Sequence, residues 1–357
     1  MMQPRRSKRA APAKDKSAIS RRRLLTTALA AGVARSFAFP AIAQKRPRLV
    51  VQAFGGLFEK TLRETVIPNF EKQHGMDVTL AVEGDTSILP KLIAARGRAP
   101  FDVCICDNSI AIAGMELGVW AADQSSRLPN IAAIYPSCRP PATANYSSVI
   151  YEYALVHNRK KLPNPTSWRD LWTGGLVIGV PHITQSAGLT FLYIAAMLNG
   201  GDAHNLAPGF TAIKRLPRFR IYRSVSEGLS LFQQGEIDAA LYYGHRAQQM
   251  IDMGLDIGKV RPKEGVWGQR TGAQIPRATN NMEGALAWVN TTLGVAYQTA
   301  FAQSLYSPTN GNVVLPPALA VKNVFGQQSV DSIQEVDWKT IMPQRDRLMD
   351  QWRRELN

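Results

Sequence analysis

Hydrophobic residues follow two different spacings along the chain from about residue 48 onward. Short β-branched runs predict strands, and the segments between them carry apolar residues at the 3.6-residue spacing of a helix. The predicted strands are 48–54, 76–82 and 101–106, and the predicted helices are 57–73, where Pro68 is expected to bend or break the helix, and 88–96. A strand–helix–strand alternation of this kind predicts βαβ units on a mostly parallel sheet.

The same alternation recurs in the second half of the chain. The predicted strands there are 175–180, 219–222 and 237–243, and the predicted helices are 187–198, 225–234 and 246–253. An extended segment, 147–157, joins the two halves, while 282–306 reads as helix and 334–355 as a charged amphipathic stretch. The pattern therefore predicts an α/β protein made of two α/β halves.

The first 43 residues have a different character. They carry ten Lys and Arg against one acid, then a short apolar run that ends in Ala41-Ile42-Ala43. A charged region, an apolar region and a small-x-small end are typical of an export signal. Arg21-Arg22-Arg23 followed by Leu24-Leu25 resembles a twin-arginine (Tat) signal; an ordinary Sec signal and a basic nucleic-acid arm are the alternatives. We expect a mature periplasmic protein that begins near Gln44.

The composition agrees with a basic N-terminal signal followed by a globular chain. The chain has 357 residues, 45% of them hydrophobic, which suffices for a sizeable core of about two domains. The net charge of +15 falls to +6 once residues 1–43 are set aside. Because most of the basic excess lies in the predicted signal, the rest of the chain lacks the charge expected of a nucleic-acid-binding domain. We therefore predict no nucleic-acid partner.

Three cysteines are too few, and odd in number, for a disulfide scaffold. Cys104 and Cys106 are two apart in a predicted strand, so they share one face and are poorly placed to bridge each other. We interpret them as small buried apolar side chains. Whether Cys138 pairs with one of them stays open at this stage.

The sequence lacks the recognised motifs of hydrolases, metalloproteases and nucleotide-binding loops. The five histidines have no metal-ligand spacing: His74, His157, His182, His204 and His245. We therefore predict a protein that is not an enzyme and holds no metal or cofactor. An exported two-domain α/β chain without catalytic motifs favours capture of a small molecule in a cleft, at the carboxyl ends of its strands.

Four stretches, in order and spacing, resemble the extracellular solute-binding proteins of ABC importers, specifically the spermidine/putrescine-binding-type group. They are Ala53-Phe-Gly-Gly-Leu-Phe-Glu59, Pro165-Thr-Ser-Trp-Arg-Asp-Leu-Trp172, Gly235-Glu-Ile-Asp-Ala-Ala-Leu-Tyr-Tyr-Gly244, and Lys263-Glu-Gly265 followed by Ile275-Pro-Arg-Ala-Thr-Asn280. The resemblance covers nearly the whole chain after the predicted signal.

This resemblance implies a two-lobe periplasmic-binding-protein type II fold with a ligand cleft between the lobes and closure by hinge motion. The first lobe would comprise 45–149 and 274–322, and the second 150–273 and 323–357. It also implies delivery of a small ligand to an ABC permease and ATPase of the inner membrane. We expect a monomer.

Polyamine binders of the group hold ammonium groups with carboxylates and place aromatic rings beside the alkyl chain. Tyr243 matches one of these aromatic positions, and Phe54 or Phe58 matches another. Two acidic positions do not match, because they fall near Gln185-Ser186 and near Arg270-Thr271.

The residues at these and nearby positions suit a ligand with a negatively charged group. Thr184 and Ser186 lie between a predicted strand and helix, where hydroxyls and free backbone N–H groups could receive an oxyanion. Three arginines at strand ends or in loops could hold a carboxylate bidentately, and Asp107 follows a strand end. The predicted ligand-binding residues are Phe54, Phe58, Asp107, Thr184, Ser186, Arg223, Tyr243, Arg246, Arg270 and Thr271.

Alternatives remain for several of these residues. Ser186 could serve only as a helix cap, and the arginines could be solvated surface charges. Strand alternation places either Tyr242 or Tyr243 in the core, and Trp168 and Trp172 are interpreted as core. The leading ligand class is a polyamine, with an amino-acid-like zwitterion or carboxylate such as 4-aminobutyrate as the alternative. Ferric iron and a secreted enzyme are lesser alternatives.

Overall fold

The computed structural model describes residues 46–356. The predicted export signal, 1–43, lies outside the described residues and stays a prediction. Among residues 46–356, no helix combines the length and the apolar character that crossing a bilayer requires.

The first part of the chain alternates strands and helices as predicted. Its strands are β1 (Arg48–Ala53), β2 (Asp77–Val82), β3 (Val103–Asp107) and the long β4 (Tyr146–Asn158). Its helices are α1 (Leu57–Thr61), α2 (Ile67–His74), α3 (Ile88–Ala94) and α4 (Asn108–Glu116). The expected break at Pro68 does not occur, because a π-helical turn, Leu62–Val66, joins α1 to α2 and Pro68 falls in the first turn of α2. A π-helical turn is a local change in helical hydrogen bonding, and it lies just before Pro68, which cannot donate a backbone N–H.

The second part repeats the alternation. Its strands are β5 (Ile178–Pro181), β6 (Phe219–Tyr222), β7 (Ala239–Tyr243), β8 (Ile257–Val260) and β9 (Val266–Gln274). Its helices are α5 (Ser186–Met197), α6 (Ala207–Lys214), α7 (Val225–Gln233) and α8 (Gly244–Asp252). The oxygen of Ser224 caps α7 by accepting a hydrogen bond from the backbone N–H of Glu227.

The remaining chain is mostly helical. It contains α9 (Met282–Thr292), α10 (Val295–Gln303), α11 (Pro317–Ala320), α12 (Gln327–Asp331), α13 (Trp338–Ile341), α14 (Arg345–Glu355) and two short strands, β10 (Ser307–Pro308) and β11 (Ile333–Gln334). The predicted helix 282–306 is two helices separated at Leu293-Gly294, because Gly294 takes an extended conformation before α10.

The strands form one mixed sheet in the order β2-β1-β3-β9-β4-β7-β5-β6. Pairing is parallel within β2-β1-β3 and within β7-β5-β6, and antiparallel where β9 and β4 join these two groups. Along β4, residues 146–152 pair with β9, whereas 153–157 pair with β7. The predicted linker is therefore a strand that runs from one group of strands into the other.

Two large buried clusters define the lobes. One includes Val51, Phe70, Val103, Trp288 and Phe301, and surrounds β1 and β3. The other includes Trp168, Ile178, Phe191, Leu241 and Trp352, and surrounds β5 and β7. We refer to them as the first and second lobes. The α/β two-lobe expectation is thus confirmed.

The last residues divide between the two clusters. Val324, Val330 and Ile333 pack in the first cluster, while Trp338 and Trp352 pack in the second. The chain therefore returns to the second lobe between β11 and α13. Burial of the apolar face of α14, which carries Trp352, secures this return.

Cys104, Cys106 and Cys138 are all free thiols and all buried. Cys104 and Cys106 share one sheet face in a small cluster with Ile88 and Phe101, as their two-residue spacing predicts. Burial raises the pKa of each of the three thiols, which keeps them in the unreactive protonated form.

A thiol titration tests this assignment. We expect a disulfide reagent to label none of the three thiols within minutes in the native protein and all three in about 6 M guanidinium, because only unfolding exposes them. Labelling of a single thiol after unfolding without reductant would instead show that two of the cysteines are bridged.

Candidate functional site

A cavity of about 640 Å³ opens between the two lobes. It lies beyond the carboxyl ends of β1, β3, β5, β6 and β7, where open α/β sheets bind their ligands. Side chains from both lobes line it, so a guest would touch the two lobes at once. Its volume suits a small organic molecule.

The first lobe contributes two buried carboxylates. Asp107 ends β3, and Asp85 lies in the turn after β2; they are 5% and 8% exposed. The backbone N–H of Asp107 donates to Oδ2 of Asp85 at 3.2 Å, which holds the two acids side by side. Few proteins bury two acids together without a functional reason, because each ion loses its hydration.

Hydroxyl groups orient Asp107. The phenol of Tyr151 donates to its Oδ2 at 2.6 Å, and the hydroxyl of Thr271 donates to its Oδ1 at 2.6 Å. These bonds stabilise the carboxylate, yet burial outweighs them and raises the pKa of Asp107. Burial, followed by the neighbouring charge of Asp107, raises the pKa of Asp85 to about 7, although Arg345 acts in the opposite direction.

This raised pKa has a stability consequence that can be measured. A carboxyl group whose pKa is higher in the folded protein costs stability as pH rises from its unfolded value, about 4, through its folded value. We expect Asp85→Asn to increase the free energy of unfolding of the empty protein by about 1–2 kcal/mol at pH 8. Chemical denaturation at a series of pH values measures the gain, which should shrink between pH 7 and pH 5. An equal gain at pH 5 and pH 8 would contradict the assignment.

Aromatic side chains form much of the cavity wall. The rings of Tyr243 and Tyr151 lie 5.4 Å apart, and those of His245 and Tyr306 lie 4.6 Å apart. Phe54 meets Phe58 edge to face at 5.4 Å. Burial, then the charge of Arg246, holds the pKa of His245 well below its usual range, so this histidine is neutral. Such a wall suits an alkyl chain or a cation against ring faces.

The second lobe contributes positive charge. Arg223 and Arg246 line the cavity, as do the first residues of three helices, α5, α7 and α8. Helix starts carry partial positive charge and free N–H groups, and Thr184 and Ser186 add hydroxyls beside one of them. The cavity therefore has an acidic wall on the first lobe and a basic wall on the second.

Helix α8 also makes a polar contact at each of its ends. At its start, a guanidinium N–H of Arg246 points to the hydroxyl of Tyr306 at 3.4 Å. At its end, Asp252 accepts hydrogen bonds from Lys322 at 2.8 and 2.9 Å. Tyr306 packs in the first-lobe cluster, so α8 contacts the first lobe at its start.

All but one of the residues predicted from sequence line this cavity. Those that do are Phe54, Phe58, Asp107, Thr184, Ser186, Arg223, Tyr243, Arg246 and Thr271. The exception is Arg270, whose side chain lies against the opposite face of β9. Neighbouring residues of a strand point to opposite faces, so Thr271 in the cavity excludes Arg270 from it.

Arg270 has a structural partner instead. It is 7% exposed, and its guanidinium lies 3.4 Å from the carboxylate of Glu335, which also accepts the Arg270 backbone N–H at 3.2 Å. Asn108 donates to the same carboxylate at 2.9 Å. This ion pair connects the segment after β11 to β9 and to the start of α4.

Other cavity residues were not singled out from sequence. They include Asp85, Tyr151, Gln185, His245 and Tyr306. Asp85 follows a predicted strand end, which is the same signal that selected Asp107. Tyr151 and Tyr306 carry no such signal, because only the tertiary fold brings their rings to the cleft.

The aromatic pairs that were left open have distinct positions. Tyr242 is fully buried, packs on Tyr222 and Phe232, and donates its hydroxyl to the carbonyl of Val225, so it is the core member of its pair. Trp168 is likewise fully buried, and its indole N–H donates to Gly265 at 3.0 Å. Between residues 46 and 356, no group of three or more His, Cys, Asp and Glu side chains is placed to hold a metal.

Comparison with known proteins agrees with this geometry. A family model described as bacterial extracellular solute-binding protein matches residues 55–299. No curated protein gives a significant match to the chain.

Several solved structures share the fold. An ABC transporter protein of Clostridium perfringens is 25% identical, with a TM-score of 0.74 over 87% of this chain and 100% of that one. The AfuA periplasmic binding protein of Actinobacillus pleuropneumoniae, solved with fructose-6-phosphate, is 22% identical, with a TM-score of 0.70 over 87% and 98%. The Atu4243-GABA receptor is 16% identical, with a TM-score of 0.72 over 86% and 96%. The last two likenesses show the fold alone.

Proposed function

Since the chain belongs to the family of bacterial extracellular solute-binding proteins and is the substrate-binding component of an ABC transporter, we propose that its ligand is an amino-acid-like zwitterion. The ammonium group of this ligand faces Asp85 and Asp107, and its acidic group faces Arg223 and Arg246. The protein binds the ligand outside the cytoplasm and delivers it to a membrane permease without altering it.

One observation carries the ligand proposal: two carboxylates and two guanidinium groups line one cavity on opposite lobes. A diamine would leave the arginines facing a like charge, and a dianion would do the same to the aspartates. A molecule with one charge of each sign satisfies both walls. Aromatic rings between the walls suit the apolar spacer of such a molecule.

The chain's likeness to the Atu4243-GABA receptor supports the same proposal. The name of that protein refers to 4-aminobutyrate, an ω-amino acid, and the protein shares this fold. The likeness is weak in sequence, so the residues of the cavity remain the main argument.

A polyamine is the second candidate, in line with the resemblance to the spermidine/putrescine-binding-type group. The paired aspartates favour it, since they supply the carboxylates that two mismatched positions, near Gln185 and Arg270, do not. Arg223 and Arg246 oppose it.

A binding panel separates these candidates. We expect 4-aminobutyrate and related ω-amino acids to raise the melting temperature of the purified protein, because a ligand at 100 times its Kd adds about 2.7 kcal/mol of stability. Putrescine and spermidine, which carry only positive charge, and butyrate and acetate, which carry only negative charge, serve as comparisons of one sign. A response to polyamines alone would overturn the zwitterion proposal, and recovery of a chemically changed ligand would overturn binding without turnover.

The proposal also includes export and assembly. Residues 1–43 direct export by the Tat route, and the mature chain acts as a monomer with a permease and an ATPase. The lobes are 45–149 with 274–322 and 150–273 with 323–357, except that Val324, Val330 and Ile333 pack with the first lobe, so the last crossover lies near β11 and not at 322.

A further inference from the structure

A second depression, of about 450 Å³, lies on the second lobe and shares no lining residue with the ligand cavity. Three elements form it: the end of β4 with the loop that follows, strand β8, and the outer face of α8. Its lining residues are His157, Arg159, Pro163, Asn164, Gln248, Ile251, Gly258, Lys259 and Val260.

The depression contains two cations and no acid. Lys259 is half-buried, and burial lowers the pKa of its ammonium group. Within residues 46–356, the side chains of Lys259 and Arg159 make no ion pair and no hydrogen bond. A half-buried ammonium group without a partner costs free energy that a bound anion would recover.

The nearby carboxylates are already engaged by other cations. Glu152 pairs with Arg261 at 2.9 Å, Asp252 pairs with Lys322 at 2.8 Å, and Asp256 pairs with Lys160 at 3.4 Å. These acids reduce the repulsion around Lys259, but none of them lines the depression. The positive charge that faces the depression is therefore left for a ligand.

The remaining walls are neutral. The imidazole of His157 is buried, its Nδ1 is 2.7 Å from the carbonyl of Leu162, and burial lowers its pKa. Gly258 leaves the room that this ring needs, because a Cβ there would overlap its Nε2. Asn164 contributes an amide, while Ile251 and Val260 contribute apolar surface.

We propose that this depression is a second binding site, which takes a small oxyanion such as phosphate, sulfate or a carboxylate between Lys259 and Arg159. The site does not depend on the identity of the transported ligand. Gln248 and Ile251 of α8 line this depression, and Arg246 of the same helix lines the ligand cavity, so both sites share α8.

Titration of the purified protein with phosphate, sulfate and acetate tests the site, each anion replacing chloride at constant ionic strength. We expect a saturable rise in melting temperature for at least one of the three. Lys259→Gln and Arg159→Gln should each weaken the apparent affinity for that anion by about five-fold or more. Lys160→Gln, which removes the same charge from an exposed neighbour paired with Asp256, should leave it unchanged.

The ligand cavity also contains arginines, so its contribution is measured separately. Arg223→Gln should retain the saturable response, and its loss in that variant would assign the anion to the ligand cavity and overturn the proposal. The absence of any saturable response, or equal affinity in the Lys259 and Arg159 variants, would also overturn it. If Lys259→Gln fails to fold, Arg159→Gln alone decides, because this exposed side chain contributes little to packing.

Discussion

Replacing Asp107 by asparagine is expected to weaken the binding of 4-aminobutyrate, or of the ω-amino acid that binds best, by at least about 30-fold. Asp107 is the buried, hydroxyl-oriented member of the acidic pair. Removing one charge of a buried ion pair costs about 2 kcal/mol or more, which corresponds to that change in Kd. Isothermal titration measures it directly.

Asp256→Asn is the matched control for this substitution. It removes the same charge from an exposed acid that lies outside the cavity, so its Kd should equal that of the wild-type protein. An Asp107→Asn protein that folds normally and keeps the wild-type Kd would show that the ammonium group does not face the acidic wall.

Replacing Gly272 by alanine is expected to destabilise the protein by about 3 kcal/mol, the upper range for overpacking. Gly272 lies in β9 opposite Ser147 of β4, and a Cβ there would overlap the backbone carbonyl of Tyr146. Backbone can move only by disturbing the pairing of β9 with both β3 and β4. Urea denaturation measures the loss.

Gly174→Ala provides the comparison, because nothing lies within 4 Å of a Cβ built on Gly174. We expect its free energy of unfolding to stay within about 0.5 kcal/mol of wild type. Equal stability of the two variants would mean that the close contact between β4 and β9 relaxes without cost.

Much of the fold follows from hydrophobic spacing. The predicted helix 57–73 differs from the observed helical run by one residue, because long periodic segments carry strong signals. The predicted strand 219–222 matches β6, a short apolar run with β-branched and aromatic residues. Strands β8, β9, β10 and β11 were not predicted. Polar residues and glycines fill most of β9, Val266–Gln274, and β10 and β11 have only two residues each, so none of these shows a clear period. The division of 282–306 was also missed, as the apolar spacing continues through Gly294.

The site was predictable where a strand end marks it. Asp107 and Tyr243 end β3 and β7, and both line the cavity. Arg270 was predicted to line the cavity because the family pattern has a binding position near Arg270-Thr271. Neighbouring side chains of β9 point to opposite faces, so Thr271 lines the cavity and Arg270 does not. Tyr306 lies far along the chain from either strand end, so only packing on the first-lobe cluster reveals its position.

Helix α8 touches the ligand cavity at its first turn and is tied to Lys322 at its last. The contact between Asp252 and Lys322 is a partly exposed ion pair, which salt weakens by screening. The contact of Arg246 with the neutral Tyr306 hydroxyl is part-buried and is not an ion pair, so salt weakens it less. Salt should therefore weaken the contact at the end of α8 more than the contact at its start. In concentrated salt, the empty protein would open more readily. Ligand binding would then have to supply more of the free energy of closing the two lobes.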